Sequence, residues 1–242
     1  MQMPRKVIVT STKMPSIFLH RFRPLFASFC PINLAIDTTN DRILEFILRN
    51  IWPMIVKNID VLQLSARIFR RLRQFVPTIL NDCPSLRFVF FNYLDIFTEF
   101  PCDDNAMASD GQAVGKWLFT PLQSNVPKVF KCWLYIVIDF ASASSPVNFI
   151  IVMLLPSSVL LFDLTNELTR EQLVLKRTSD GRLFVFIRCP ISRDESKWTK
   201  WEEEAIGLEF VDQWNRIDIH INNEDEIGKG LLDANPGPSD QH

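Results

Sequence analysis

Short β-like strings and helical stripes alternate through the first half of the chain. Ile32, Ile59 and Leu86 recur at steps of 27 residues, and Ala35, Leu62 and Val89 repeat that interval. Each set opens a strand-like string: Ile32-Asn-Leu-Ala-Ile36, Ile59-Asp-Val-Leu-Gln-Leu64 and Leu86-Arg-Phe-Val-Phe-Phe91. Between them, Ile43, Phe46, Ile47 and Ile51, and then Ile68, Leu72, Phe75 and Ile79, keep the three- and four-residue spacing of one helix face. Pro53 and Pro77 interrupt these stripes, and a ring without an N–H predicts a kink or break at each.

A strand-helix unit of this length cannot bury its apolar face alone and must stack on its neighbours. The last two strings fit the L-x-x-L-x-L pattern of a leucine-rich repeat with hydrophobic substitutes, and the first fits it less well. Residues 101–127 then carry an acidic loop, Asp103-Asp-Asn105, and a helix through Ala113, Val114, Trp117 and Leu118 that stops before Pro121.

From Lys128 the pattern turns to strands, expected at 128–138, 147–155, 159–164, 171–177 and 182–189. Asp180-Gly181 lies between two apolar runs and can supply the positive φ that a hairpin turn requires. Ser192 and Glu195 have the spacing of a capping box that would start a helix with Trp198, Trp201 and Ala205 on the face packed against the sheet. Ile217, Ile219 and Ile221 alternate with Asp218 and His220 as in a strand with one buried face. The expected fold class is therefore α/β: leucine-rich-repeat-like strand-helix repeats followed by a β-rich region with one packed helix. The expected boundaries are 1–127 for the repeats, 128–234 for the β-rich region and 235–242 for a flexible tail.

Composition narrows the functional classes. A chain of 242 residues with 47% hydrophobic content has material for a folded core, and seven Gly beside fifteen Pro argue against glycine-rich phosphate loops. Residues 1–100 hold thirteen Lys/Arg against seven Asp/Glu, and the remainder thirteen against twenty-one. Two differently solvated surfaces account for that asymmetry, and nucleic acid is not the expected partner. Cys30, Cys83, Cys102, Cys132 and Cys189 are odd in number, with no C-x-x-C pair, so neither a disulfide framework nor a zinc site is expected. Reduced, buried cysteines suit cytoplasm or nucleus. The apolar stretch from Ile150 to Phe162 is broken at Pro156, Ser157 and Ser158, so no membrane span is expected. The first 36 residues carry five basic residues and no acid, and Phe18, Phe22, Leu25, Phe26 and Phe29 form an amphipathic stripe. That pattern keeps a mitochondrial transit peptide open as an alternative.

Catalytic constellations are wanting. His20 lies in the basic stripe, His220 on the polar side of a strand and His242 at the last position, so none stands beside a nucleophile. Glu202, Glu203 and Glu204 are consecutive on a helix and point in different directions, the pattern of a solvated face. Gly228-Lys-Gly230 lacks phosphate-loop spacing and follows an acidic run. Arg67, Arg70, Arg71 and Arg73 concentrate positive charge on one repeat helix, the one feature that a nucleic-acid-binding alternative would use. No catalytic, cofactor-binding or metal-binding residue is assigned, and an enzyme is not expected.

Several segments resemble a family of nematode F-box proteins: Ile51-Trp-Pro-Met-Ile55, the run from Leu72 to Arg87, Pro146-Val-Asn-Phe-Ile150 and the run from Asn166 to Leu173. More specific are Arg188-Cys-Pro-Ile-Ser-Arg-Asp-Glu-Ser-Lys-Trp198, Trp201-Glu202, the run from Gln213 to Ile217 and that from Ile227 to Ser239. The resemblance runs from about Pro4 to the C-terminus and makes Pro4-Arg-Lys-Val-Ile8 the opening of a first repeat. It implies a non-catalytic protein-interaction module similar to the substrate-recruiting part of an F-box subunit of a cullin-RING ubiquitin ligase. The F-box itself finds no room before Met1. The ligase adaptor is therefore an expected partner only if an F-box is present elsewhere, and a decoy or scaffold with no ligase link is the alternative. In a repeat of this kind the residues between the inward apolar positions face the strand side, which nominates Val61, Gln63, Phe88 and Phe90 as contacts to a protein partner.

Overall fold

The computed structural model describes residues 6–9, 31–38, 40–92, 98–132, 140, 143–156, 159–207 and 216–220. The N-terminal stripe, Cys30, Gln213–Asn215, Ile221, Gly228-Lys-Gly230 and the expected tail lie outside them. Ten strands make one sheet: β1 (Lys6–Val9), β2 (Ile32–Asp37), β3 (Ile59–Ser65), β4 (Phe88–Asn92), β5 (Lys128–Cys132), β6 (Phe149–Met153), β7 (Phe162–Asn166), β8 (Glu171–Arg177), β9 (Phe184–Pro190) and β10 (Arg216–His220). Their order is β1-β10-β2-β3-β4-β5-β6-β9-β8-β7. Pairing is parallel from β1 to β6, with β10 between β1 and β2, and antiparallel from β6 through β9 and β8 to β7.

The 27-residue interval is the β3–β4 register, which pairs Val61 with Phe88, Leu62 with Val89 and Gln63 with Phe90. Between β2 and β3 it holds only at Ile32 and Ile59, because the register shifts by one residue and leaves Asp60 as the extra position. Leu34, not Ala35, consequently stands beside Leu62. The shift completes one apolar row across the sheet: Leu34, Leu62, Val89, Phe130, Ile151, Phe186, Leu175 and Phe162. A one-residue slip turns a strand's side chains to the opposite face, so the bulge keeps the leucines on the core side.

That core side is covered by helices inserted between the parallel strands: α1 (Asp41–Phe46), α2 (Trp52–Ile55), α3 (Ala66–Phe75) and α4 (Asp110–Leu118). Each longer helix starts at a polar cap. Asn40 accepts from the Arg42 N–H, Ser65 from Ile68, and Ser109 and Gln112 form a reciprocal capping box. Pro53 does not break the chain's helical path. A π-helical turn over Ile47–Ile51 absorbs the change, and Pro53 falls in the first turn of α2, where its missing N–H costs little. Pro77 lies beyond the end of α3, so Phe75 is the last helical residue and is exposed, while Ile79 is buried from the turn that follows.

The opposite face is covered over its central strands by α5 (Glu195–Gly207), through Trp198 and Ala205 with Trp201 and Ile206 packed beside them. Asp194, not Ser192, caps this helix, its carboxylate accepting the Ser196 and Lys197 N–H groups. The β8–β9 hairpin forms as expected, with Gly181 at φ 71° and Asp180 accepting from Thr178 and the Arg182 N–H. The regions expected on either side of residue 127 share the one sheet, since β4 pairs with β5 across that boundary.

Candidate interaction surfaces

The alternation of β3 and β4 does send Val61, Phe88 and Phe90 to the face away from α1–α4, as expected, but that face is not open there. All three are buried, Phe88 and Phe90 at 2% exposure, in a cluster with Val129, Ile150, Ile187, Trp198 and Ala205. The Phe88 and Phe90 rings lie parallel with centroids 6.3 Å apart. These residues are core beneath α5 and cannot contact a partner; Gln63, half-buried at the margin, keeps only a partial surface. Alternation along a strand assigns residues to a face. It does not tell that a helix more than a hundred residues later will cover it.

Charged side chains clamp that helix. Glu202, expected in a solvated face, is buried and receives Lys176, with Arg193 at 3.5 Å. Arg87 forms an ion pair with Glu204 at 2.8 Å and stacks over the Phe88 ring at 4.5 Å. Burial at the bulge pushes the Asp60 carboxyl up to about 6; Arg87 draws it down and Glu204 adds to the rise. Cys189 sits in the same layer, within 3.3 Å of the Gln172 amide and 3.2 Å of Arg193, and burial raises its thiol above the ordinary range. Burial therefore favours the protonated thiol, while Gln172 and Arg193 work against that rise.

The arginine helix is also largely engaged. Arg73 is buried and its guanidinium spans Asp110, the Asn105 and Ala108 carbonyls and, at 3.4 Å, that of Pro77. Arg70 bonds Asp110 at 2.9 Å and Arg71 bonds Asp41 at 3.0 Å. Arg70, Arg73, Glu99, Ser109 and Asp110 line an open cleft of about 410 Å³. Its arginines are matched by carboxylates, so the cleft has no strong bias toward anions. The helix acts mainly as a staple for the 98–110 loop, and Gly115 of α4 admits that loop closely. A Cβ at Gly115 would meet the Cys102 sulfur at 2.8 Å.

The surface that sequence reasoning missed lies at the antiparallel end of the sheet. β7 ends the strand order there, and its first four residues are all exposed. Leu164 is 49% exposed, Leu160 85% and Leu168 76%, with Leu161 and Phe162 exposed beside them. The signal was in the unbroken apolar run Val159-Leu-Leu-Phe162. Such a run reads as a buried strand, and one was expected at 159–164; the strand instead begins at Phe162, Val159 packs against the core, and Leu160 and Leu161 stand exposed ahead of it.

Among the described residues no group of His, Cys, Asp and Glu could hold a metal ion, and no helix is long and apolar enough to cross a membrane. Comparison with protein-family models, with curated proteins and with solved structures finds no match.

Proposed function

We propose that this chain is a non-catalytic module that binds other polypeptides, a leucine-rich-repeat-like stack of strand-helix units serving as the frame and β7 as the docking edge. The observation that carries this reading is the exposed β7 edge, with Leu164 in the strand and Leu160, Leu161 and Leu168 flanking it in solvent. An edge strand presents unpaired backbone donors and acceptors, and an added strand gains main-chain hydrogen bonds while side-chain contacts supply selectivity. Contiguous exposed leucines mark such surfaces. The sequence resemblance to nematode F-box proteins supports a recruiting role, with the link to a ubiquitin ligase conditional on an F-box joined to this region.

Parallel capture with wild-type chain, Leu164→Lys and Arg70→Glu tests the assignment. The expected result is a set of proteins retained by wild type and by Arg70→Glu but reduced at least tenfold with Leu164→Lys. An identical set on all three baits would overturn β7 as the docking edge.

A further inference from the structure

We propose that the strand docked on β7 is β7 of a second copy of this chain, the two related by a two-fold axis midway between their Leu164 residues and normal to the sheet. The proposal rests on reading β7 as the docking edge and names a second copy as its occupant in the isolated chain, one that a recruited strand has to displace. β9, β8 and β7 alternate in direction, so the next strand that continues the pattern runs antiparallel to β7. Two identical strands paired antiparallel are related by a two-fold axis, which makes the contact self-complementary and closed at two chains.

Charge selects the register. With the axis normal to the sheet, each residue pairs with one on the same face, so the axis must pass midway between the two copies of one residue. Centring on Asp163 would set that carboxylate against its own copy, and centring on Thr165 would run the pairing into the turn at 167–170 and bring Asp163 toward Glu167. Like charges directly opposite destabilise a strand pair. Centring on Leu164 removes both clashes. Asp163 meets the Thr165 hydroxyl, Leu164 meets Leu164, and Phe162 meets Asn166. Carried outward, the same register brings Leu160 toward Leu168, the two most exposed leucines of this edge. Between Phe162 and Asn166 there is no Lys, Arg or Pro, the residues by which open edges are commonly guarded against pairing.

The test is light-scattering mass measurement of the full chain across a concentration series, with circular dichroism and melting temperature as controls of folding. Wild type should show twice the mass of one chain, and Leu164→Lys, which sets two ammonium groups face to face, should show one. Thr165→Lys is the register test. It places a lysine opposite Asp163 twice per pair and should tighten association several-fold. Wild type that stays at one chain at every concentration would overturn the proposal. Loss of captured proteins with Leu164→Lys in that case would still uphold β7 as a docking edge for a foreign strand. A two-chain wild type with an unchanged captured set would leave the self-pairing standing and remove the recruiting role. Thr165→Lys that weakens association would overturn the register.

Discussion

Arg188→Met is expected to lower unfolding free energy by about 3–5 kcal/mol, the usual cost of stranding one partner of a buried ion pair. Arg188 and Glu171 are both about 1% exposed, joined through Nε at 3.2 Å and a terminal guanidinium nitrogen at 2.7 Å. The other Glu171 oxygen accepts the Val147 N–H at 2.6 Å, and Arg188 donates to the Ser145 carbonyl at 3.0 Å. The pair thus closes the 143–147 segment onto β8 and β9. Without Arg188 a carboxylate remains in a site with little water. Removing both charges in Arg188→Met with Glu171→Leu should recover part of the loss, because the buried carboxylate goes with its partner. Recovery should stop short of wild type, since the Val147 N–H loses its acceptor at about 1–3 kcal/mol. Denaturant unfolding of the two single variants and the double variant checks this. A double variant no more stable than Arg188→Met would show that the charges themselves are not what matters.

A second large effect is a stability that climbs with pH above neutrality. Lys128 opens β5 buried against Trp117, its ammonium 5.0 Å from the ring centre and donating to the Trp117 carbonyl. Among the described residues no carboxylate bridges it, and burial lowers its pKa from 10.5 to about 7. Between those two values the unfolded chain binds the proton more readily than the folded one, so this lysine's contribution to unfolding free energy rises as pH goes from about 7 toward 10.5, opposed above about 9 by the thiols of Cys83, Cys102 and Cys189, which burial raises. At about 1.4 kcal/mol per pKa unit, the rise is on the order of 3–5 kcal/mol. Below pH 7 both states carry the charge and this contribution to the slope vanishes. Lys128→Met should flatten the climb and raise stability near pH 7, where the buried charge is a burden. Unfolding curves from pH 6 to 10 for both chains measure it. A wild-type slope identical to that of Lys128→Met would rule the lysine out as its source.

Much of the frame could be read from spacing. The 27-residue interval is a register between β3 and β4, and the helix expected from the Ser192–Glu195 capping box is there, beginning at Glu195. What spacing could not supply was the bulge at Asp60. It depends on which neighbouring row completes a continuous apolar surface, and that comparison requires all the strands to be in place. The ends of α3 and the capping of α5 were misread by a few residues, because several polar side chains compete for the same role. Asp194 won over Ser192 by standing directly before the helix.

The site was less legible than the frame. Val61, Phe88 and Phe90 were assigned to the correct face of β3 and β4, yet their accessibility is decided by α5, which is far along the chain. The leucines of the β7 edge show the converse. A local run such as Val159-Leu-Leu-Phe162 is equally suited to a central strand, yet only Phe162 enters a strand, and that strand is the last in the order. Burial is a property of the assembled layers, whereas face and period are properties of the chain.

Hydrogen exchange over residues 160–168 tests the central claim, that polypeptides dock on β7, most directly. It is followed in wild type at low and high concentration and with captured protein added, beside Leu164→Lys. The account predicts that exchange at Phe162–Asn166 slows in at least one loaded condition, that the buried β6 strand is unchanged, and that Leu164→Lys abolishes the slowing. Exchange at β7 that stays equally fast in both chains under every condition would contradict it.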